Sequence, residues 1–190
     1  MKKKLKIGFD LDGVILYNPI RFVRRIAKAF KFLKPVLLHQ EKNPFYFPKT
    51  KLEIFLFTLL HKSSFKIDRS LPEINKLVKA KKIEAYIVTG RYSFLKKDFD
   101  NWIKIINKDK IFKDIYQNTK DLQPNEFKIK MIKKLNLDVY VEDNYDIIER
   151  LNNHTKAKIY WITNFLDKNI PYKFKFSSLK ETVEFLRKHG

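Results

Sequence analysis

The chain has 190 residues and a formal net charge of +20, and its 44% hydrophobic and 15% aromatic content is enough for one substantial core with a smaller appended module. It has no cysteine, which excludes thiol nucleophiles, disulfides and cysteine metal sites. No apolar run approaches the roughly 18 residues that span a bilayer, and Asp10 and Asp12 interrupt the stretch after the basic start, so we expect no membrane span and no secretory leader. A cytoplasmic protein is therefore expected.

The net charge favours an acidic partner such as nucleic acid. However, the lysines are spread from one end of the chain to the other, and Lys, Asn, Ile, Phe and Tyr all have A/T-rich codons. We therefore interpret most of the charge as a solvated surface whose positive field attracts phosphorylated substrates. Nucleic acid is the less favoured partner.

Predicted strands and helices alternate along the chain. Short apolar runs predict strands at 5–9, 85–88, 111–116, 138–141 and 158–162. Apolar residues at helical spacing predict helices at 19–33, 51–61, 71–78, 93–106, 125–135, 145–151 and 179–190. Ser70 and Ser178 each begin a Ser-x-x-Glu capping box, and Ser93 is predicted to cap the helix that follows it.

This alternation predicts an α/β fold, because strands separated by helices form units whose parallel sheet is covered on both faces. The stretch between Ile15 and Arg69 is far longer than an ordinary connection of about 4–6 residues. We interpret it as an inserted helical module. Residues 1–15 and 70–190 would then form the core domain, and residues 16–69 the insert.

The most informative motif is Asp10-Leu11-Asp12-Gly13, directly after the first predicted strand. Ligands of open α/β sheets bind at the carboxyl ends of strands, where paired carboxylates hold hard cations and divide nucleophilic and acid–base work. Asp-Gly between apolar runs is also typical of a hairpin turn, with Gly13 at positive φ. The motif alone leaves both interpretations open.

Two further motifs carry groups suited to phosphate. Thr89-Gly90-Arg91 follows the strand at 85–88 and offers a hydroxyl, a glycine N–H and a helix start, although the same residues are typical of a turn. Lys128 and Lys130 lie at the start of a predicted helix, where a lysine would neutralise phosphate. In a chain so rich in lysine this signal is weak by itself.

A fourth motif, Glu142-Asp143-Asn144, places two acidic residues after the strand at 138–141. Asp143 or Asn144 would also cap the next helix, and capping is compatible with metal binding. The aromatic run at 45–47 is predicted to pack within the insert or to cover a leaving group. The histidines show no paired ligand spacing, so we expect structural or surface roles for His39, His61, His154 and His189.

The order Asp-x-Asp-Gly, Thr-Gly-Arg, lysine, Glu-Asp resembles the haloacid dehalogenase superfamily over nearly the whole chain, from Ile7 to the last helix. The resemblance implies a Rossmann-like parallel sheet sandwiched by helices, with the insert as a small helical cap over the site. It also implies phosphoryl transfer, because members that remove halide lack the second carboxylate, here Asp12. Many members have Gly-Asp where this chain has Glu142-Asp143, which leaves the division of labour between those two residues open.

The resemblance further implies a role for each motif residue. Asp10 would be the nucleophile that forms an aspartyl-phosphate, and Asp12 the general acid and base. Mg²⁺ would be held by Asp10, the backbone carbonyl of Asp12, and Asp143. The phosphoryl group would be bound by Thr89, the Gly90 N–H and Lys128, with Lys130 in reserve. The residues expected to support the site from outside are Glu142 and Asn144.

The resulting hypothesis is a Mg²⁺-dependent phosphatase for a small phosphorylated metabolite. A nucleotide is one candidate substrate, because the tail around 161–164 and 171–172 is faintly similar to the nucleotidase branch. One alternative is a nucleic-acid end phosphatase, favoured by the charge and by a basic helix face formed by Arg21, Arg24, Arg25 and Lys28. The other is a non-catalytic basic binding domain on the same scaffold. The oligomeric state is left open.

Overall fold

The computed structural model describes residues 4–18, 45–62, 64–167 and 169–189. The predicted helix at 19–33, its basic face and His39 lie outside these residues. Within the described ranges the chain forms a six-stranded and a two-stranded sheet. Their strands are β1 (Leu5–Phe9), β2 (Leu16–Tyr17), β3 (Lys66–Ile67), β4 (Ile83–Thr89), β5 (Phe112–Gln117), β6 (Val139–Glu142), β7 (Lys158–Ile162) and β8 (Lys175–Phe176).

The large sheet has the strand order β5-β4-β1-β6-β7-β8, and all its pairings are parallel. β1 lies in the interior, with Phe9 paired to Ile87 of β4 on one side and to Val141 of β6 on the other. Its buried half, Ile7 to Phe9, is apolar because helices cover both faces of a parallel sheet. The predicted Rossmann-like α/β fold is confirmed.

Six helices are described: α1 (Lys51–Lys62), α2 (Leu71–Lys79), α3 (Lys96–Ile106), α4 (Pro124–Leu135), α5 (Tyr145–His154) and α6 (Leu179–His189). Two apolar clusters cover the two faces of the sheet. Residues of α2, α3 and α6 join Ile87 in one cluster, and residues of α4 and α5 join Val88 in the other. The two neighbours on β4 separate in this way because successive side chains of a strand point to opposite faces.

Of the three serines predicted to cap helices, one does so and two do not. Ser178 accepts a hydrogen bond from the Glu181 N–H at 3.3 Å, as predicted for α6. Ser70 precedes α2 without a side-chain cap, and its own N–H donates to the Asp68 carboxylate instead. Ser93 begins a short 3₁₀ turn before α3, and both its N–H and its hydroxyl donate to Asp121. An aspartate thus accepts from the backbone N–H of Ser70, and from both the N–H and the hydroxyl of Ser93.

The described part of the insert begins and ends at a two-stranded ribbon. β2 and β3 pair antiparallel, Leu16 with Ile67 and Tyr17 with Lys66. Between them lies α1, whose Phe57 contacts the Tyr92 ring of the core at a centroid separation of 6.0 Å. The division into core and insert at residues 16 and 69 stays a prediction. None of the described helices is long and apolar enough to cross a membrane.

Candidate active site

The carboxyl ends of β1, β4 and β6 lie side by side at one edge of the sheet. Asp10 follows β1, Thr89 ends β4 and Glu142 ends β6. The Asp10 N–H donates to the Val141 carbonyl at 3.0 Å, which fixes the two strand ends together. Three of the four motifs of the sequence therefore meet where open parallel sheets bind ligands.

Lys128 of α4 connects two of these carboxylates. Its Nζ lies 2.9 Å from Asp10 Oδ2 and 2.7 Å from Glu142 Oε2, and its side chain is only 2% exposed. Burial acts to lower the pKa of Lys128, but the two carboxylates outweigh burial and hold that pKa above its ordinary value. Lys130, two residues further on, is exposed. The structure thus brings Lys128, and not Lys130, to the edge of the sheet.

Three carboxylates around Lys128 form an oxygen-rich cluster. One ligand atom each from Asp10, Glu142 and Asp143 lies within 4.8 Å of the others. Glu142 already accepts hydrogen bonds from Lys128 and from the N–H groups of Asp143 and Asn144. Asp10 Oδ1 is buried and has no hydrogen-bond partner among the residues that the structure describes. A buried carboxylate oxygen is costly without a partner, so this atom fits a cation ligand.

Burial also perturbs the acids of this cluster. It raises the pKa of Asp10, with Lys128 opposing the shift and Asp143 adding to it. It likewise raises the pKa of Glu142, to about 8, again against the opposing effect of Lys128. A single lysine does not compensate three neighbouring carboxylates. An oxygen-only donor set with excess negative charge fits a hard divalent cation such as Mg²⁺.

Gly13 makes room for the Asp143 carboxylate. Its φ is +80°, and a Cβ added at this position would overlap the Asp143 side chain. Only glycine meets both conditions without strain. The turn that Asp-Gly predicts is therefore present, and it brings the first motif into contact with the fourth.

Asp143 is supported from behind by its neighbours. The Trp161 indole N–H donates to the Asp143 backbone carbonyl at 3.3 Å. Asn144 caps α5, because its side chain accepts from the Asp146 N–H at 3.1 Å. Glu142 and Trp161 thus hold the Asp143 backbone through hydrogen bonds, Asn144 fixes the start of α5 that follows it, and the Asp143 carboxylate faces Gly13.

Asp12 lies apart from this cluster and pairs with Arg91. The Arg91 Nε and Nη2 atoms donate to the two Asp12 oxygens, both at 2.7 Å. Ser64 and Asn18 donate to Asp12 Oδ1 at 2.9 and 3.4 Å. Burial would raise the pKa of Asp12, but Arg91 outweighs it and holds that pKa well below its usual range. In this arrangement Asp12 is an ionised partner of arginine.

Thr89 and Gly90 occupy the end of β4. Thr89 is 1% exposed, and its hydroxyl accepts from the Arg91 N–H at 3.4 Å. A Cβ on Gly90 would come within 2.8 Å of Pro124, the first residue of α4. The glycine thus has a packing role, because it lets the start of α4, and with it Lys128, approach the site.

Sequence reasoning gave no role to three of these residues. Arg91 was considered only as part of a turn, and Ser64 and Asp98 not at all. Arg91 Nη1 also donates to Asp98 Oδ2 at 2.7 Å, so its buried side chain joins two carboxylates. The sequence does contain one signal for Arg91. Only seven of the 41 basic residues are arginines, so an arginine directly after Thr-Gly is less easily explained by the general excess of lysine.

The aromatic run at 45–47 contacts the core. The Phe47 ring packs edge-on against Tyr92 at 4.9 Å, and the Tyr46 carbonyl accepts from the Tyr92 hydroxyl at 3.3 Å. Phe57 of α1 stacks on His61 at 4.5 Å and meets Phe94 edge-on. These rings form a continuous apolar contact between the insert and the loop that carries Arg91.

Comparison with known proteins identifies the fold. No protein-family model matches the chain, and no curated protein matches it. Solved structures do match: a HAD phosphatase from Thermococcus onnurineus has a TM-score of 0.60 at 14% identity, over 97% of this chain and 98% of the other. The chain has the haloacid dehalogenase (HAD) fold.

Two further solved structures share this fold. One is a HAD-superfamily hydrolase from Ehrlichia chaffeensis, with a TM-score of 0.53 at 14% identity over 99% of this chain and 98% of the other. The second is a mutant of CbbY from Rhodobacter sphaeroides in complex with xylulose-(1,5)-bisphosphate, with a TM-score of 0.57 at 13% identity over 94% and 96%. The match to HAD structures thus extends over nearly the whole length of the chain.

Proposed function

We propose that the protein is a Mg²⁺-dependent phosphatase that hydrolyses phosphomonoesters. The observation that carries the proposal is the buried cluster at the carboxyl edge of the sheet. It combines the Asp10 carboxylate, one of whose oxygens has no hydrogen-bond partner in the described part of the chain, with a lysine 2.9 Å away and two further acids. The similarity in fold to the Thermococcus onnurineus phosphatase supports the same reaction class.

In this proposal each group has a defined task. An Asp10 oxygen attacks phosphorus and forms an aspartyl-phosphate. The ester oxygen leaves with a proton from Asp12, which acts as the acid only after it has turned away from Arg91 and taken up a proton from solvent. A water molecule then attacks phosphorus, Asp12 takes its proton, and the bond between Asp10 and phosphorus breaks. Thr89, the Gly90 N–H and Lys128 bind the phosphoryl oxygens.

The cation would be held by Asp10, Asp143 and the Asp12 backbone carbonyl. It would supply the positive charge that an anionic nucleophile needs near an anionic phosphate. Glu142 and Asn144 support this site through hydrogen bonds to Lys128 and to the backbone around Asp143.

We also propose that residues 16–69 form a cap over this site, with residues 1–15 and 70–190 as the core. Ser64 precedes β3, and its hydroxyl donates to Asp12 at 2.9 Å. Phe47 and Phe57 contact Tyr92. The insert therefore touches both the first motif and the loop after β4. The substrate is a small phosphorylated metabolite. Nucleotides are among the candidates, because the rings of Phe47, Phe57 and Tyr92 lie where the insert meets the loop after β4.

The test is release of inorganic phosphate from a panel of nucleotides, sugar phosphates and phosphorylated acids, with Mg²⁺ and with a chelator. We expect Mg²⁺-dependent hydrolysis that Asp10→Asn abolishes and that the control Asp109→Asn, an exposed acid between α3 and β5, leaves intact. Full activity of Asp10→Asn would overturn the assignment of the nucleophile. No hydrolysis of any phosphomonoester would favour the non-catalytic alternative.

A nucleic-acid end phosphatase is the second candidate, because the net charge is +20. Oligonucleotides with a 3′- or 5′-phosphate belong in the same panel. If this alternative holds, binding of single or double strands weakens steeply as salt is raised, since phosphate contacts release counterions. Absence of binding at low salt would remove it.

A further inference from the structure

The environment of Arg91 suggests which phosphomonoesters the site selects. The Arg91 side chain is 1% exposed and makes three charged hydrogen bonds of 2.7 Å. Its Nε and Nη2 edge faces Asp12, and its Nη1 atom faces Asp98. The flat edge of a guanidinium matches a carboxylate or phosphate, because it presents two parallel N–H donors.

Asp12 serves the proposed reaction only when it contacts the ester oxygen of the substrate. In the structure its Oδ1 accepts from Arg91, Ser64 and Asn18, and its Oδ2 accepts from Arg91. To give a proton to the ester oxygen, Asp12 must first be protonated, which weakens its pairing with Arg91, and its carboxyl group turns from this network towards the substrate. The Nε and Nη2 edge of Arg91 then loses its acceptor.

A buried guanidinium edge without an acceptor is costly, because its N–H groups are removed from water and unpaired. Asp98 remains on Nη1 and keeps Arg91 in place. Asp12 covers the Nε and Nη2 edge and is 12% exposed, so a ligand reaches this edge through the position of Asp12; Asp98, which is 18% exposed, covers only Nη1. A substrate that draws Asp12 away lies on this side of Arg91, so an anionic group of the substrate is in a position to replace Asp12.

We propose that Arg91 binds a second anionic group of the substrate, a carboxylate or a second phosphate located within one or two carbons of the ester oxygen. The inference rests on the phosphatase activity proposed above, and it narrows the substrate class to phosphorylated hydroxy acids and bisphosphates. The second anionic group must lie close to the ester oxygen, because Asp12 would contact that oxygen and Arg91 lies 2.7 Å from Asp12. A neutral group at this position would leave the buried N–H groups unpaired.

Two matched pairs of substrates test the inference: 2-phosphoglycerate with glycerol 2-phosphate, and 3-phosphoglycerate with glycerol 3-phosphate. The members of each pair differ in a carboxylate against a hydroxymethyl group. We expect kcat/KM to favour the acid by about ten- to a hundredfold, the range of a hydrogen bond to a charged group. Arg91→Gln should bring the ratio close to one, and Arg91→Lys should give an intermediate ratio, because lysine keeps the charge but loses the two-pronged geometry.

The control is Arg150→Gln, which removes an exposed arginine from α5 and should leave the ratio unchanged. A ratio near one in the wild type would overturn the inference. An Arg91→Gln variant that slows both members of a pair equally would also overturn it, since Arg91 would then only position Asp12. If both Arg91 variants fail to fold, the wild-type ratio alone decides.

Binding distinguishes failure of this inference from failure of the proposed function. Calorimetry with Asp10→Asn, which cannot turn over, compares the Kd values of the same pairs. If no ester is hydrolysed but the acid binds at least tenfold tighter, and Arg91→Gln removes that preference, the phosphatase proposal fails and the anion site stands. Equal binding of acid and alcohol overturns the anion site whether or not hydrolysis occurs.

Discussion

Replacing Lys128 by methionine tests the charge balance of the site, because methionine keeps the bulk of the side chain and removes its charge. Lys128 Nζ bridges Asp10 and Glu142, whose side chains are 8% and 0% exposed. Removing one partner of a buried ion pair costs about 3–5 kcal/mol, because the remaining charge stays buried and uncompensated. At about 2–4 °C per kcal/mol for a chain of this size, Tm should fall by roughly 6–20 °C.

The loss should depend on pH in a definite direction. Without Lys128 the two carboxylates repel each other in a buried site, and protonation of either removes one of the charges. The difference in unfolding free energy between wild type and Lys128→Met should therefore shrink as the pH is lowered. The measurement is urea unfolding followed by circular dichroism, without divalent cations, over a pH range that begins above the Glu142 pKa of about 8 and extends below neutral pH.

Two companion variants make this measurement decisive. Lys130→Met removes an exposed lysine from the same helix and should stay close to the wild type. Glu142→Gln added to Lys128→Met removes one of the two uncompensated acids and should restore part of the stability. The reasoning is refuted if Lys128→Met unfolds within about 1 kcal/mol of the wild type, well short of the cost of an unpaired buried charge.

Three further outcomes follow from the contacts around the site. Gly13→Ala should lower the free energy of unfolding by about 1–2 kcal/mol from its positive φ alone, which urea unfolding measures. The added methyl group should also displace Asp143 and weaken Mg²⁺ binding, which calorimetric titration measures. Asp143→Asn should abolish the rise in Tm that Mg²⁺ gives the wild type; an equal rise in both proteins would place the cation elsewhere. Because Arg91 holds the pKa of Asp12 below its ordinary 3.8, Asp12 stabilises the fold above that pH and the contribution is lost as pH falls. Asp12→Asn should thus be less stable than the wild type at pH 7, with a gap that narrows below about pH 4.

Predictions from local pattern succeeded where local chemistry decides the structure. The strands at 5–9 and 158–162 match the structure residue for residue, and the helix at 51–61 is one residue shorter than α1. Each is a continuous or periodic apolar segment that a sheet or a helix face must bury. The short strands β2, β3 and β8 have two residues each and were not predicted, because pairing with a distant segment creates them.

Prediction of side-chain partners was less successful, and for a related reason. Ser70 and Ser93 fit a local capping pattern, but Asp68 and Asp121 bind them instead. Asp121 is 28 residues from Ser93, a partner that no capping pattern includes. Arg91 belongs to the predicted Thr-Gly-Arg motif but receives no role there, because its partner Asp12 lies 79 residues away in the sequence.

The amino-acid sequence alone determined the α/β class, the parallel sheet and the position of the motifs at strand ends, because buried strands and amphipathic helices carry their patterns in consecutive residues. Only the tertiary structure selected Lys128 over Lys130, brought Asp143 against Gly13 and joined Asp12 to Arg91. Those contacts depend on which strands are neighbours and on which face of α4 is buried, and neither is written in any short stretch of the chain. The position of each lysine around the helix axis determines which of them reaches the site. Lys128 lies on the side of α4 that faces the sheet, and Lys130 lies on the side that faces solvent.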